Sequence, residues 1–345
     1  MKDLAVTIWV TNDCNLLCEY CYVNKHIDYM SENTADEVVR FINKKDEEVN
    51  SERLKIVFSG GEPLLNFKVI KRIIDGLKAL EMKKTIIYMI TTNGTLSLCD
   101  DHYKYLKKMW VSISIDGTEK WHNLARKYKN SSEGSYEKAM FTLNEMLAKQ
   151  MPVRVRMTIT PDNVVNFAEN YIELYKITNQ LVAFEPNLSD NRWSKDTLDM
   201  LFENLRKIIV YLQDNNLKDA MEITYALKEQ YFHFRTKCSG GISTFHISSI
   251  GKLYPCILAT GVEEYELGDV ENGIDFKRLN NFHKINEKKS QDCEGCSFYD
   301  NCESKTCKIV NKYYSGSYDS PSVVKCNIQN KMYQLLMEFK KLWEK

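Results

Sequence analysis

Apolar residues cluster in short runs at 4–11, 54–59, 85–91, 110–115, 153–160 and 181–185. These runs are rich in β-branched and aromatic side chains and are mostly apolar on both faces. Between them the apolar positions recur at helical spacing, as in 34–43, 67–80, 135–149 and 166–177. Strands buried on both faces and alternating with amphipathic helices predict a parallel sheet with helical crossovers. Six such units predict an α/β fold, a partial (β/α)6 TIM-like barrel, over residues 1–217. A long helix at 195–215 closes it.

The texture changes beyond that point. Short strands, glycine turns and cysteines dominate from Cys238 on, so a small second domain is expected over 238–345, with 218–237 as a linking segment. An amphipathic helix at 328–343 is expected to pack back on the body.

Composition narrows the function classes. Lys plus Arg, 47 in all, balance 47 Asp plus Glu, so no net field draws the chain to nucleic acid or an anionic membrane. No apolar run approaches the roughly 20 residues that span a bilayer. The N-terminus enters a strand directly, without a basic, apolar and small-residue signal pattern, so a cytoplasmic address is expected. Eleven cysteines fall largely in close clusters, which in such a chain points to metal or Fe–S ligation rather than disulfides.

In barrels of this kind the ligand site collects at the C-terminal ends of the strands. Four unusual sequences fall there. Cys14, Cys18 and Cys21 follow the first predicted strand; Gly60, Gly61, Glu62 and Pro63 follow the second; Asn93 and Gly94 follow the third; Asp116 follows the fourth. Three thiolates on one loop suffice for three irons of a [4Fe–4S] cube, leaving the fourth iron open to chelate a substrate's amino and carboxylate groups. The bland alternative is a zinc knuckle with His26 as the fourth ligand. Glycines at 60 and 61 permit close backbone approach, although such a stretch is also an ordinary turn. Ser112, Ser114 and Asp116 alternate along one strand and share a face.

With CxxxCxxC after the first strand and Gly60, Gly61, Glu62 and Pro63 after the second, the chain resembles the radical SAM superfamily. That resemblance implies a cluster which injects an electron into S-adenosylmethionine (SAM), giving methionine and a 5′-deoxyadenosyl radical. It implies that Cys14, Cys18 and Cys21 hold the cluster and that Tyr20 packs on the adenine side. Gly60, Gly61, Glu62 and Pro63 then meet the methionine ammonium. Asn93 belongs to this set, though its sequence is a common turn. Ser112, Ser114 and Asp116 suit the ribose hydroxyls, and Arg126 the SAM carboxylate, where a structural salt bridge is the alternative. Leu181 on the sixth strand touches the adenine or is simply core.

The C-terminal cysteines, Cys238 and Cys256 flanking Gly251, then Cys293, Cys296, Cys302, Cys307 and Cys326, resemble the SPASM domain of peptide- and protein-modifying radical SAM enzymes. By that resemblance Cys238, Cys256 and Cys307 hold a first auxiliary [4Fe–4S] cluster. Cys293, Cys296, Cys302 and Cys326 hold a second, making three clusters in all. The gap before Cys307 has four residues where the pattern has three. Two zinc sites are the alternative. Cys99 lies outside every pattern and reads as a buried, inert cysteine.

The implied function is maturation of a ribosomally made precursor peptide. With three cysteines at the first auxiliary cluster an open iron can bind a substrate thiolate, which favours thioether cross-linking; carbon–carbon cross-linking or epimerisation is the alternative. Ile257, where sulfatase-maturating relatives carry Asp after the corresponding cysteine, speaks against sulfatase maturation. The chain starts at the first strand without a leader-binding module, so recognition is expected to need a separate leader-recognition protein or the barrel mouth and SPASM surface themselves, beside an electron donor such as flavodoxin or ferredoxin. A non-catalytic Fe–S carrier or zinc-binding protein has no reason to place these other residues around the cysteine loop.

Overall fold

The computed structural model describes residues 3–234, 236–287 and 290–344. Six strands, β1 (Asp3–Thr11), β2 (Arg53–Gly60), β3 (Thr85–Thr92), β4 (Met109–Ser114), β5 (Val153–Ile159) and β6 (Ala183–Pro186), appear in chain order. Helices α1 (Glu32–Val49), α2 (Phe67–Ala79), α3 (Asp100–Leu106), α4 (Glu119–Ala125), α5 (Tyr136–Ala148) and α6 (Phe167–Thr178) connect them. The chain is thus an α/β protein with parallel strands and helical crossovers, as the hydrophobic pattern predicts.

By contacts the chain divides into two compact units. The first comprises Met1–Ile115, His122–Arg154 and Ser239–Phe282. The second comprises Asp116–Trp121, Val155–Cys238 and His283–Lys345.

In the first unit β1 lies between β2 and β7 (Thr244–Ile247), both parallel to it. Strands β3 and β4 extend the sheet beyond β2, and the short β8 (Leu253–Tyr254) runs antiparallel to β7. Leu4, Val6, Ile8 and Val10 of β1 and Leu54, Ile56 and Phe58 of β2 are all fully buried. Helices α1 and α2 bury Val38, Ile42, Ile70, Ile73 and Leu77, positions at helical spacing. Ser31 caps α1 by accepting the Thr34 N–H at 3.0 Å. The β1–β2 register shifts between Trp9 and Thr11, opposite Ser59 and Gly60. Such an irregularity bends the strand end, here where the cysteine loop departs.

The second unit contains the parallel pair β5–β6, helix α6, and the neighbouring helices α7 (Lys195–Asn215) and α8 (Leu217–Phe232). Helix α7 has the bounds that periodicity predicts. The segment 218–237, read from sequence as a link, is mostly helix α8: Asn216 caps it, and Ala220, Ile223, Thr224 and Leu227 are buried at i, i+3, i+4 and i+7. The β9 (Gly268–Asp269) and β10 (Gly273–Ile274) hairpin and the first half of helix α9 (Phe276–Glu287) belong to the first unit. The helices α10 (Glu303–Thr306), α11 (Lys308–Ser315), α12 (Val323–Glu338) and α13 (Lys340–Trp343) follow. The expected final helix is therefore two helices with a break at Phe339. No helix among the described residues is long and apolar enough to cross a membrane.

Candidate active site

The cysteine loop begins where β1 ends. Cys14 is buried, whereas Cys18 and Cys21 are half-buried. Main-chain bonds clamp the loop to the segment after α4: Leu17 N donates to Lys127 O at 2.8 Å, and Glu19 N to Ala125 O at 3.1 Å. At its far end Asp28 accepts the Asn12 main-chain N–H at 2.6 Å, the Asn12 side-chain amide at 2.8 Å and the Ser249 hydroxyl at 2.5 Å. Nothing in the sequence marks Asp28 for this role, since its partners lie 16 and 221 residues away. His26 is mainly exposed and pairs with Asp28 at 3.2 Å.

Burial pushes the Cys14 thiol up to about 11; Glu62 and Cys18 add to this, while a main-chain donor from Leu16 and the charge of Lys25 oppose it. Cys14 Sγ accepts weakly from Leu16 N at 3.4 Å and from the Asn93 side-chain amide at 3.8 Å. Two donors face the sulfur, and Lys25, whose ammonium donates to Leu16 O at 2.8 Å, stands near; these offset only part of the cost that burial places on a thiolate here.

The glycines after β2 are explained by what they touch. A Cβ on Gly60, whose φ is +135°, would lie 2.0 Å from Thr11 O, and one on Gly61 would lie 2.2 Å from Asp13 O. Gly61 N donates to Thr11 O at 3.0 Å and Glu62 N to Asp13 O at 2.9 Å. The second loop therefore lies directly on the base of the cysteine loop. Pro63 opens a one-turn helix whose first free N–H, on Leu64, donates to Glu62 Oε1 at 3.1 Å. The Glu62 carboxylate is fully buried and also accepts the Thr92 hydroxyl at 2.8 Å and the Asn93 N–H at 2.7 Å. Burial pushes this carboxyl up to about 7 against the pull of those three donors.

Asn93 spans the centre. Its side-chain amide donates to Asn15 Oδ1 at 2.9 Å, and its Oδ1 accepts from Thr95 N and Oγ1. Ser112 and Ser114 on β4 are buried, and Ser112 Oγ accepts from Arg154 Nε at 3.0 Å. Arg126 is buried with its guanidinium 5.3 Å over the Tyr20 ring. Cys14, Cys18, Cys21, Tyr20, Gly60, Gly61, Glu62, Pro63, Asn93, Ser112, Ser114 and Arg126 all belong to the first unit. Asn15, Lys25 and Asp28 join them without having been singled out in the sequence.

Asp116 belongs to the second unit, where it is fully buried and accepts the Thr158 N–H at 2.9 Å. Leu181 is half-buried and precedes β6 instead of lying on it. Parallel pairing of Arg156 with Ala183 starts that strand two residues later, so Leu181 is at its N-terminal end. Cys99 is exposed, not buried: it precedes α3 with its sulfur 3.0 Å from His102 Nδ1.

A second thiol group lies in the second unit. Cys293 and Cys296 flank a tight turn, Cys296 N donating to Cys293 O at 3.2 Å, and Cys302 precedes α10. Cys326, in the first turn of α12, is pushed up to about 11 by burial and by the charges of Cys302, Cys293 and Cys296. The four thiols therefore share one neighbourhood. Cys307 precedes α11 and Cys238 is half-buried, both in this unit; Cys256, before the 257–259 turn, is in the first. All eleven cysteines are thiols. Among the described residues no three His, Cys, Asp or Glu side chains are spaced to hold a single metal ion, so the fit to iron–sulfur centres rests on the donor chemistry and the convergence of thiols.

These features define an α/β protein with a thiol-lined centre at the C-terminal ends of parallel strands. Comparison gives the class of this part of the chain: residues 8–174 match the Radical SAM superfamily and form a radical SAM domain. Across 90% of its length it is 23% identical to the radical SAM cyclopropyl synthase TigE of Paramaledivibacter caminithermalis, covering 69% of that protein. Across 94% it is 23% identical to the sporulation killing factor maturation protein SkfB of Bacillus subtilis, covering 74%. Over 48% of the chain it is 34% identical to the uncharacterized protein MJ0907 of Methanocaldococcus jannaschii, of which it spans about half, 55%.

Among solved structures, anSMEcpe with bound AdoMet shares the fold at a TM-score of 0.79 and 17% identity, covering 99% of this chain and 98% of that one. Streptococcus suis SuiB bound to its precursor peptide SuiA gives 0.65 at 15%, covering 94% and 76%. The partial barrel and SPASM-type architecture are thus those of the fold neighbours.

Proposed function

We propose that the chain is a radical SAM maturase that installs a thioether cross-link, cysteine sulfur to carbon, in a ribosomally made precursor peptide. The observation that carries the radical chemistry is the Cys14, Cys18 and Cys21 loop seated against Gly60, Gly61 and the Glu62–Asn93 bridge. A cluster held by Cys14, Cys18 and Cys21 would supply the electron that cleaves SAM, and auxiliary clusters held by the C-terminal cysteines would supply an acceptor for the electron released on bond formation. The protein's own part is to hold the loop rigid, to present Arg126 as a fork for a carboxylate and to bury Ser112 and Ser114 as ribose-facing hydroxyls. Asp116 completes the proposed ribose set, and Tyr20 the adenine side.

Similarity to a maturation protein, and a fold shared with an enzyme crystallised on its precursor peptide, support a peptide substrate. Three cysteines rather than four for the first auxiliary cluster, Cys238, Cys256 and Cys307, support an open iron for a substrate thiolate. Carbon–carbon bond formation is the second reading, favoured by the similarity to a cyclopropyl synthase. A leader-recognition protein and a flavodoxin or ferredoxin donor complete the proposed system. After anaerobic reconstitution, SAM and dithionite are expected to yield 5′-deoxyadenosine, and Cys14→Ala none. Co-expression with a cysteine-containing precursor is expected to lower the peptide mass by two hydrogens and to block alkylation of one cysteine. An alkylatable cysteine in a product of that mass would sink the thioether reading in favour of a carbon–carbon bond.

A further inference from the structure

Among the described residues Lys308 is the largest charged side chain wholly inside the protein, with 0% exposure. Its ammonium donates to Ser290 Oγ at 2.5 Å and to Ser304 O at 3.0 Å, both neutral oxygens. Its main-chain N–H is fixed by Asn286 Oδ1 at 2.7 Å. Burial opposes its charge, and thiolates at Cys293, Cys302 and Cys307 and the Asp319 carboxylate would favour it. A buried cation held only by neutral oxygens costs several kcal/mol unless an anion compensates it.

The same wall has a second open valence. Ser304, one turn before Lys308 and between Cys302 and Cys307, is 1% exposed, and its hydroxyl has no hydrogen-bond partner among the described residues. Buried hydroxyls are rarely left unpaired. A cationic chain and an unused donor among convergent thiols fit an anionic iron–sulfur centre, whose sulfurs accept hydrogen bonds and whose potential follows local charge.

We infer that Lys308 is the counter-charge of the auxiliary cluster held by Cys293, Cys296, Cys302 and Cys326, and raises its reduction potential. The inference rests on the auxiliary-cluster reading given above. Lys308 positions charge beside the centre and takes no part in bond making. An ammonium in a dry wall stabilises the more negative, reduced state, so this cluster is more readily reduced than it would be beside a neutral residue. That makes it the natural sink for an electron leaving the substrate.

The test is an EPR-monitored dithionite titration of the anaerobically reconstituted full chain, wild type against Lys308→Met, Lys308→Gln and Lys308→Arg, with iron counted in each. One cluster signal is expected to move to lower potential in both neutral variants by a factor of ten or more in the oxidised-to-reduced ratio, about 59 mV for a one-electron couple. The Lys308→Arg variant is expected to keep the wild-type value. Neutral variants with full iron and unmoved signals overturn the inference. Wild type with about four irons per chain, one cluster's worth, instead overturns the auxiliary-cluster reading and the inference with it. If the neutral variants do not fold, pulsed EPR of wild type grown on isotopically labelled lysine decides: a lysine nitrogen coupled to an auxiliary cluster supports the role, and none overturns it.

Discussion

The carboxylate of Glu62 accepts the main-chain N–H of Asn93 at 2.7 Å, so the loop after β2 fixes the loop after β3 from inside the protein. Because Asn93 in turn reaches Asn15 and Cys14, one acidic side chain sets the shape of the cysteine loop at second hand. Glu62 Oε1 serves Leu64 and Thr92 and Oε2 serves Asn93, which ties its donors to one rigid corner.

Glu62→Ala strands the buried N–H of Asn93, and each such orphan costs about 1–3 kcal/mol. The urea midpoint of the variant is expected to fall accordingly, and its cysteine loop to take up iron poorly. Glu62→Gln keeps one acceptor oxygen but sets an amide NH2 against donors, so its midpoint should lie between the two. Equal midpoints for all three proteins would show that the bridge carries no stability.

The glycines beside it admit no side chain. Gly60→Ala and Gly61→Ala each force a methyl within 2.2 Å of a main-chain carbonyl, at Thr11 or Asp13. The strand end has to move, and the thiol loop with it. Iron content after reconstitution is expected to drop several-fold in either variant, further than in Gly316→Ala, where the left-handed φ of +78° strains an alanine but a Cβ meets nothing within 4 Å.

Much of this corner is written locally in the chain. Three cysteines at fixed spacing, a glycine pair and alternating Ser112 and Ser114 can be read because each sits at the end of an apolar run whose period marks it as a strand. Asp28 cannot be read, because it acts on Asn12 and Ser249 through contacts made only after folding. Leu181 misleads for a related reason: it extends an apolar run, yet pairing with β5 starts only at Ala183. Cys99 shows the limit of residue-type rules. Cysteines are usually buried, but a helix N-terminus beside Asp100 and Asp101 faces outward. Helix α8 was hidden by its position between textures rather than by its sequence, which carries an ordinary apolar stripe.

A pH dependence separable from the metal centres follows from His246 on β7. Burial holds its imidazole down to about 4 from an ordinary 6.5, and its Nδ1 has no partner among the described residues. A depressed pKa means that the unfolded chain binds the proton more readily. The stability contributed is complete above pH 6.5 and is lost as pH falls toward 4. The slope is about 1.4 kcal/mol per pH unit within that window. The difference in melting temperature between wild type and His246→Gln is expected to change through this interval and to level off below it. A constant difference from pH 7 to pH 4 would remove His246 from the account.

Arg126 poses the sharpest choice between a structural and a ligand-binding role. Its guanidinium lies 5.3 Å over the Tyr20 ring, and its main-chain carbonyl accepts from Ser135 N and Oγ, so the backbone there is fixed independently of the side chain. Bidentate pairing with a carboxylate needs the planar edge of the guanidinium. Lysine keeps the charge but cannot form the fork. If Arg126 holds the SAM carboxylate, Arg126→Lys weakens SAM binding by about tenfold or more, the worth of a charge-assisted bond, and leaves the melting temperature nearly unchanged. If its role is packing on Tyr20, Tyr20→Leu and Arg126→Lys lower the melting temperature together, and SAM affinity measured by equilibrium dialysis stays within twofold. The first pattern is expected, because a cation–π contact of this kind contributes only about 0.5–2 kcal/mol and does not by itself require burying an arginine to 6% exposure.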